Sequence, residues 1–156
     1  MNRPTDPPLA AVPIPLHDLL GLEFVAPADG SHTAEVRMPV RPEACGPTGS
    51  LHGGAIATMV DLACALAAVR SSNFDAETES LITADMHVRY LGRPRTGAVT
   101  AQAHVVKTGT QLIVVECRVV DGNDHVIAVA DFSMMKVARR RPLLPDADSE
   151  VGAPEL

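Results

Sequence analysis

One segment of the chain is apolar for about four helical turns. From Ala55 to Val69 every residue is apolar or small and neutral except Asp61. The pattern predicts a helix over about residues 53–71. Because that helix is apolar all round, it is expected to be buried on most of its sides. The polar stretch 71–80 then predicts a connection.

Apolar alternation predicts strands on both sides of this helix. Short breaks at Thr108–Thr110 and at Asp121-Gly122-Asn123 are hairpin signals, so the later strands are expected to be antiparallel. Residues 16–24 predict a short helix that leads into a strand, and the turn-rich stretch 41–50 predicts a loop. The strand-like runs are 32–40, 81–91, 98–107, 111–121 and 124–137.

A single buried helix needs cover on more than one side. A curved sheet wrapped round it supplies most of that cover, and a second subunit closes the rest. We therefore predict an α+β domain over residues 14–138, with one long central helix and a curved, mostly antiparallel sheet of five to six strands. Residues 1–13 are Pro-rich and 139–156 are polar, and both ends are expected to be flexible.

Composition narrows the function classes. The chain has 156 residues, of which 46% are apolar, and its net charge is −6. That charge argues against nucleic acid or an anionic membrane as a partner. The odd number of cysteines (Cys45, Cys64 and Cys117) and their spacing favour a reduced, cytoplasmic protein, with Cys64 and Cys117 in the core. The N-terminus lacks the long apolar run of a signal peptide or membrane span.

The start of the apolar helix has a chemical pattern of its own. Gly53 and Gly54 expose backbone N–H groups at a helix N-terminus, which suits an oxyanion hole, although a tight helix entry is the plainer explanation. Asp61 is either a catalytic carboxylate or a structural residue that caps a neighbouring backbone or holds an ion pair. His52 is a helix cap, a satisfied polar contact or a catalytic base.

Spacing adds a constraint on any shared chemistry. Asp61 lies eight residues beyond Gly53, which is about 12 Å along a helix axis. One thioester or ester group cannot contact both the Gly53 amide and the Asp61 carboxylate of the same helix. If both act on one substrate, they come from two copies of the chain, so the site would lie across a homodimer interface.

The stretch "GPTGSLHGGAIATMVDLACALA" resembles the core motif of hotdog-fold acyl-CoA thioesterases of the phenylacetate-degradation (PaaI-type) branch. That motif is Asn-x-x-Gly-x-x-His-Gly-Gly, with an Asp eight residues after the first Gly of the pair. "LITADMHVRYLGRPRTG" resembles the family's next strand, and "HVVKTGTQL" its following hairpin. The resemblance runs from about residue 16 to residue 137.

By this resemblance the protein hydrolyses an acyl-CoA thioester. The Gly53 amide polarises the carbonyl, Asp61 of the facing subunit activates water or attacks directly, and Thr83 helps Asp61 to hold the water, while His52 belongs to the same motif. Strand alternation groups Thr83 with Asp85, His87 and Arg89 on a polar face, which is either the site or plain solvent-exposed surface. The other face carries Ile82, Ala84, Met86, Val88 and Tyr90.

The resemblance also implies where the substrate lies. Gly46, at the position where the motif has its carbonyl-orienting Asn, and Gly54 belong to the substrate-binding residues. Two segments are expected to lie along the CoA moiety. The first is Tyr90, Leu91, Gly92, Arg93, Pro94 and Arg95, and the second is Lys107, Thr108, Gly109 and Thr110. The amides of Gly109 and Thr110 are expected to face CoA. No cofactor is implied beyond the CoA of the substrate, and the scattered histidines predict no metal site.

One position departs from the family motif. The motif's Asn falls at Gly46, so the oxyanion hole has one side-chain donor fewer. This motivates a different reading, a non-hydrolytic protein that binds acyl-CoA or another small ligand on the same fold. A dehydratase acting on 3-hydroxyacyl chains fits less well, because the carboxylate is at the thioesterase position. For the thioesterase, a homodimer or a dimer of dimers is expected.

Overall fold

The computed structural model describes residues 13–26 and 34–139. Two helices and six strands follow one another along the chain, with a short 3₁₀ helix at Pro42–Ala44 between β2 and α2. The elements are α1 (Pro15–Leu20), β1 (Glu23–Val25), β2 (Ala34–Pro39), α2 (Gly53–Ser71), β3 (Glu79–Tyr90), β4 (Ala98–Thr108), β5 (Leu112–Asp121) and β6 (Val126–Ala138). The predicted helices and strands are confirmed, with ends that differ by a few residues. Most residues of the two ends that were predicted to be flexible, 1–13 and 139–156, lie outside the described residues.

All six strands form one antiparallel sheet, in the order β1-β2-β4-β5-β6-β3. Helix α2 lies along one face of this sheet and contacts β2 and β4 most extensively. The predicted α+β hotdog architecture is therefore confirmed. Strand β3 is at one edge, paired only with β6, so its other side is free in the single chain.

The core between α2 and the sheet is built from aliphatic side chains. Phe132 is the only fully buried aromatic residue within the described ranges. Cys64 and Cys117 are both buried there, as predicted. By length and composition α2 is the one described helix that would also suffice to cross a membrane, but 61% of it is buried inside the fold, as in a core helix.

An irregularity in β3 corrects the predicted alternation. Thr83 pairs with Met134 and Asp85 with Ser133, so Ala84 is an extra residue that forms a β-bulge. Directly opposed residues share a face of the sheet, and Met134 is buried in the core, so Thr83 faces α2. The predicted face that joined Thr83 to Asp85, His87 and Arg89 is wrong, because the bulge reverses the alternation at Ala84.

Beyond the bulge, the two faces of β3 are well separated. Met86 opposes the buried Phe132, so Met86, Val88 and Tyr90 share the helix side with Thr83. The outer side carries Asp85, His87 and Arg89. His87 and Arg89 both lie near Asp131 of β6, at 4.0 and 3.5 Å.

Candidate active site

The N-terminus of α2 leaves one backbone donor free. His52 caps the helix, because its Nδ1 accepts a hydrogen bond from the Gly54 amide at 2.9 Å. The amides of Ala55 and Ile56 donate to the His52 carbonyl at 3.0 and 3.1 Å. In the described structure the Gly53 amide has no partner, so it points a free N–H, at the positive end of the helix dipole, away from the helix.

The His-Gly-Gly sequence has a local structural reason. A Cβ at Gly54 would lie 3.0 Å from Nδ1 of His52, so a side chain there would disturb the capping imidazole. Since Nδ1 accepts, the neutral ring carries its proton on Nε2. The structure thus shows His52 in the capping role, one of the three roles that the sequence left open.

Tyr90 fixes the first turn from the side of β3. Its hydroxyl donates to the carbonyl oxygen of Gly53 at 3.0 Å. The ring lies beside Gly53, where an added Cβ would sit 3.4 Å from Cζ. Tyr90 therefore holds the peptide that follows the free amide, a role that differs from the CoA contact implied by the family resemblance.

Asp61 and Thr83 form the second part of the site. Asp61 is half-buried two turns into α2, and its Oδ1 accepts a hydrogen bond from Oγ1 of Thr83 at 2.8 Å. The bulge at Ala84 makes this contact possible, because it turns Thr83 toward the helix. Asp61 has no basic partner among the described ion pairs, so the structural ion-pair reading gains no support.

The thiol one turn beyond Asp61 is not a rival nucleophile. A hydrogen bond with Cys117 and burial in the core raise the pKa of Cys64 far above its usual range. The nearby Asp61 carboxylate acts in the same direction. Cys64 therefore stays protonated and belongs to the packing of α2 on β5.

Within one chain, the two parts of the site do not meet. Eight residues of helix separate the Gly53 amide from Asp61, so about 12 Å of helix axis lies between them. Tyr90 and Thr83 are separated by about 20 Å along β3, because their partners on β6 lie six residues apart. Each chain thus carries a free amide at one place and a hydrogen-bonded carboxylate at another.

The loop before the helix has room at Gly46. The Gly46 amide donates to the Ser50 carbonyl, and a Cβ at this position would be 3.5 Å from Cδ2 of His52, an ordinary contact. The missing family Asn leaves this position without a side chain, although a Cβ would fit beside His52.

The two predicted CoA segments lie at opposite ends of the sheet. The connection that contains Tyr90–Arg95 follows the end of β3, whereas Lys107–Thr110 forms the β4–β5 hairpin beside the start of β3. Leu91 and Gly92 donate their amides to Ile127. Arg93, Arg95 and Lys107 are exposed, and Pro94 and Thr108 complete these segments.

One part of the CoA prediction needs correction. The Gly109 amide donates to the Leu112 carbonyl at 2.8 Å, so it is used by the hairpin and cannot face CoA. A Cβ at Gly109 would lie 2.8 Å from that same oxygen, which explains the glycine. Of the two predicted amides, only that of Thr110 has no described backbone partner.

Sequence reasoning missed Asp121, which it took only as a turn residue. This buried carboxylate accepts hydrogen bonds from the amides of Arg95, Asn123 and His125 at 2.8, 2.9 and 3.1 Å. These bonds, the one from Arg95 above all, lower the pKa of Asp121. Asp121 thus ties the predicted CoA segment to the β5–β6 turn, which only the tertiary structure reveals.

The described ranges contain no candidate metal site. No group of three or more His, Cys, Asp or Glu side chains is close enough there to hold an ion. The chemistry that the two parts offer is a backbone hydrogen-bond donor for a carbonyl and a carboxylate with a hydroxyl neighbour.

Comparisons with known proteins bear on the fold and the family of the chain. Over 76 residues the chain is 41% identical to a Halobacterium salinarum protein provisionally named an esterase, an alignment that covers 49% of each protein. The chain thus spans about half the length of the curated relatives it matches. The crystal structure of the BH2602 protein of Bacillus halodurans with CoA is similar with a TM-score of 0.69 and 26% identity, over 83% of this chain and 80% of that one.

The fold is also that of the Escherichia coli PaaI protein from the phenylacetic acid degradation operon, with a TM-score of 0.68 and 20% identity over 80% of this chain and 85% of that one. A family model described as the thioesterase superfamily matches residues 48–128, from the loop before α2 to the start of β6. That range contains the free amide, the Asp61–Thr83 pair and the whole of β3, so the chain belongs to the thioesterase superfamily.

Proposed function

We propose that the protein is an acyl-CoA thioesterase whose active site is shared between the two subunits of a homodimer. The observation that carries this proposal is the pair of half-sites, a free Gly53 amide and an Asp61–Thr83 pair that one chain cannot bring together. Membership of the thioesterase superfamily supports hydrolysis of an acyl thioester. The choice of CoA as carrier and the dimer itself belong to the proposal.

Two exposed features support a dimer. The free edge of β3 offers twelve residues of backbone to another strand. In the otherwise buried helix α2, a stripe at helical spacing is only partly covered by the sheet. This stripe consists of Gly54, Ala57, Thr58 and Asp61. A second copy paired antiparallel along β3 would extend the sheet and bring its own α2 over this stripe.

In the dimer, the Gly53 amide of one subunit donates to the thioester carbonyl oxygen and stabilises the negative charge that develops there. Asp61 of the partner takes a proton from a water molecule, which attacks the carbonyl carbon. The tetrahedral intermediate collapses, the C–S bond breaks, and Asp61 returns the proton to the CoA thiolate. Thr83 donates a hydrogen bond to Oδ1 of Asp61 and so fixes the orientation of the carboxylate that receives the proton.

Direct attack by Asp61 is the other route. It would break the C–S bond, release the CoA thiolate and form an acyl-aspartyl anhydride, which water then hydrolyses to the same acid and free Asp61, and the proton released by that water balances the thiolate. Label found in the Asp61 carboxylate after a single turnover in ¹⁸O-labelled water would identify the anhydride route, with water attacking the aspartyl carbonyl. Direct attack by water on the thioester puts the label only in the acid.

A dimer would also bring the two CoA segments, which are far apart in one chain, to the same end of the sheet. Antiparallel pairing of two β3 strands places the end of one strand beside the start of the other. Arg93 and Arg95 of one subunit then lie at the same end as Lys107 and Thr110 of the partner. CoA phosphates would meet a basic surface made by both chains, although the net charge of the chain is −6.

Thiol release from a panel of acyl-CoAs, followed with a chromogenic thiol reagent, tests the activity. Asp61→Asn should lower kcat by at least about 100-fold, the usual scale for a general base, and leave the fold intact. Asp124→Asn is the matched control, because Asp124 is exposed in a turn at a φ of 58°, which Asn adopts readily. Turnover within a few-fold of wild type in Asp61→Asn would contradict the proposed role.

Gly46 favours one alternative, a non-hydrolytic protein that binds acyl-CoA or a similar ligand. Gly46 supplies no side-chain donor beside His52, where the family motif has an Asn. This alternative predicts saturable binding of acyl-CoA with no thiol release at micromolar enzyme. The three free thiols fit a cytoplasmic location, which we also propose.

A further inference from the structure

The first turn of α2 is tied to the sheet by one side chain. Tyr90, at the end of β3, donates its hydroxyl to the Gly53 carbonyl at 3.0 Å. The other side chains that bind the backbone here belong to the helix or its cap. His52 accepts from the Gly54 amide at 2.9 Å, and Thr58 donates to the Gly54 carbonyl at 2.9 Å. Among the described hydrogen bonds, only that of Tyr90 joins the two glycines to a strand.

Two peptide planes meet at the Cα of Gly53. The first plane contains the His52 carbonyl and the free Gly53 amide, which point in opposite directions within one rigid unit. This plane is held at its carbonyl end, since that oxygen accepts from the amides of Ala55 and Ile56 at 3.0 and 3.1 Å. The second plane contains the Gly53 carbonyl, and it is the plane that Tyr90 holds. The free N–H keeps one direction only if both planes are fixed.

Gly53 depends on support from outside the helix more than another residue would. Without a Cβ, its two backbone torsion angles can take a wider range of values than those of any other residue type. It also lies in the first turn of the helix, where the amides have no partner within the helix. The ring of Tyr90 lies beside it, with Cζ 3.4 Å from where a Cβ would be. Hydroxyl and ring therefore both limit the movement of Gly53 from the side of β3.

The backbone of Tyr90 is itself fixed, so the residue can serve as a support. It opposes the buried Ala128 in the β3–β6 ladder, and the next two amides, of Leu91 and Gly92, donate to the Ile127 carbonyl at 2.8 and 3.2 Å. Tyr90 is 53% exposed, so core packing does not account for a large aromatic residue here. It is the only tyrosine of the chain, and its hydroxyl has one described partner.

We propose that Tyr90 is a positioning residue for the thioester carbonyl, acting through the Gly53 amide. Its hydroxyl holds the Gly53 peptide so that the free N–H stays aimed at the place where the carbonyl oxygen becomes negatively charged. The inference rests on the proposed function, in which that amide stabilises the oxyanion. Because the charge develops in the transition state, a poorly aimed N–H lowers kcat more than it weakens substrate binding.

Tyr90→Phe tests this role, because it removes the hydroxyl and keeps the ring beside Gly53. Loss of a whole oxyanion donor costs about 100- to 1,000-fold in kcat. Here the donor remains but is less well aimed, so kcat should fall about tenfold while KM stays within about twofold of wild type. Thr100→Val is the matched control, since it also removes one hydroxyl. Thr100 lies between the buried Val99 and Ala101 and so faces away from α2, and its loss should leave kcat unchanged.

Two ligands that cannot be hydrolysed test the amide without turnover. In the first, a difluoroketone analogue of an acyl-CoA, a CF₂ group replaces the thioester sulfur, and the hydrated carbonyl resembles the tetrahedral intermediate. The second, an S-alkyl-CoA thioether, has no carbonyl oxygen. In isothermal titration, Tyr90→Phe should weaken binding of the difluoroketone about tenfold, in parallel with kcat, and change the affinity for the thioether by less than about twofold. A merely structural role of Tyr90 would alter both affinities alike.

Circular dichroism melting curves verify that both variants are folded. A folded Tyr90→Phe protein that keeps kcat within about twofold of wild type would overturn the role of Tyr90. Equal losses of affinity for the difluoroketone and the thioether would overturn it as well. Failure of the proposed function has a different signature, because wild type would then release no thiol from any acyl-CoA. The two ligands would still show whether Tyr90 directs the Gly53 amide toward an oxyanion.

Discussion

Mixing two inactive variants tests whether the site is shared between subunits. Asp61→Ala removes the carboxylate, and Gly53→Pro removes the free amide. The backbone at His52 has φ −67° and ψ 135°, the extended conformation that a following proline requires. Because the Gly53 amide makes no bond within the described structure and proline is well tolerated at the first helical position, Gly53→Pro should fold.

The expected recovery follows from counting sites. Each homodimer of either variant has two broken sites and should lose about 100-fold or more in kcat. In a mixed dimer, the intact Gly53 of one chain meets the intact Asp61 of the other, so one site works and the second carries both defects. With random exchange half of the dimers are mixed, and activity should return to about a quarter of wild type.

Gly53→Ala is the matched control for the proline. It keeps the amide and places its Cβ 3.4 Å from Cζ of Tyr90, an ordinary contact, so it should retain most of the activity. Circular dichroism verifies that each variant is folded, and mass spectrometry verifies that subunits exchange. Folded, exchanging chains that show no recovery on mixing would place the chemistry within one subunit and refute the shared site.

Three further predictions concern single residues. Thr83→Val removes the 2.8 Å hydrogen bond to Asp61 and should lower kcat about tenfold with little change in KM. Thr83→Ser keeps the hydroxyl and should retain the wild-type kcat. Equal activity of the two variants in a steady-state assay would contradict a role for this hydrogen bond. Gly46→Asn should raise kcat/KM on at least one acyl-CoA, because it restores the family's carbonyl-orienting amide at a position where a Cβ makes only an ordinary contact with His52. A uniform loss across the panel would argue against it. The hydrogen bond from the Arg95 amide, with those from Asn123 and His125, lowers the pKa of Asp121 in the folded protein. The stability that this carboxylate contributes is therefore complete above the pKa of the unfolded chain, about 3.9, and is lost as the pH falls through the lower pKa of the folded protein. Melting temperatures should therefore be higher for wild type than for Asp121→Asn near pH 6 and should converge in acid; a constant difference down to pH 2 would contradict the linkage.

The sequence alone determined the elements and the class of fold. The run from Ala55 to Val69 predicted a buried helix, and the observed α2 spans Gly53–Ser71. The breaks at Thr108–Thr110 and Asp121–Asn123 predicted the hairpins that make the sheet antiparallel. These features are local, since periodicity and turn residues act over a few positions. The Gly53–Asp61 spacing follows from helix geometry and needs no tertiary information.

The tertiary structure alone decided which face Thr83 occupies. Strict alternation grouped it with Asp85, but one extra residue at Ala84 turned it toward Asp61. The hydrogen bond from the Arg95 amide to Asp121 likewise joins residues that are far apart in sequence. A bulge depends on how two strands far apart in sequence pair, and its single residue leaves no mark on local periodicity, so pairing between β3 and β6 was needed to place the site.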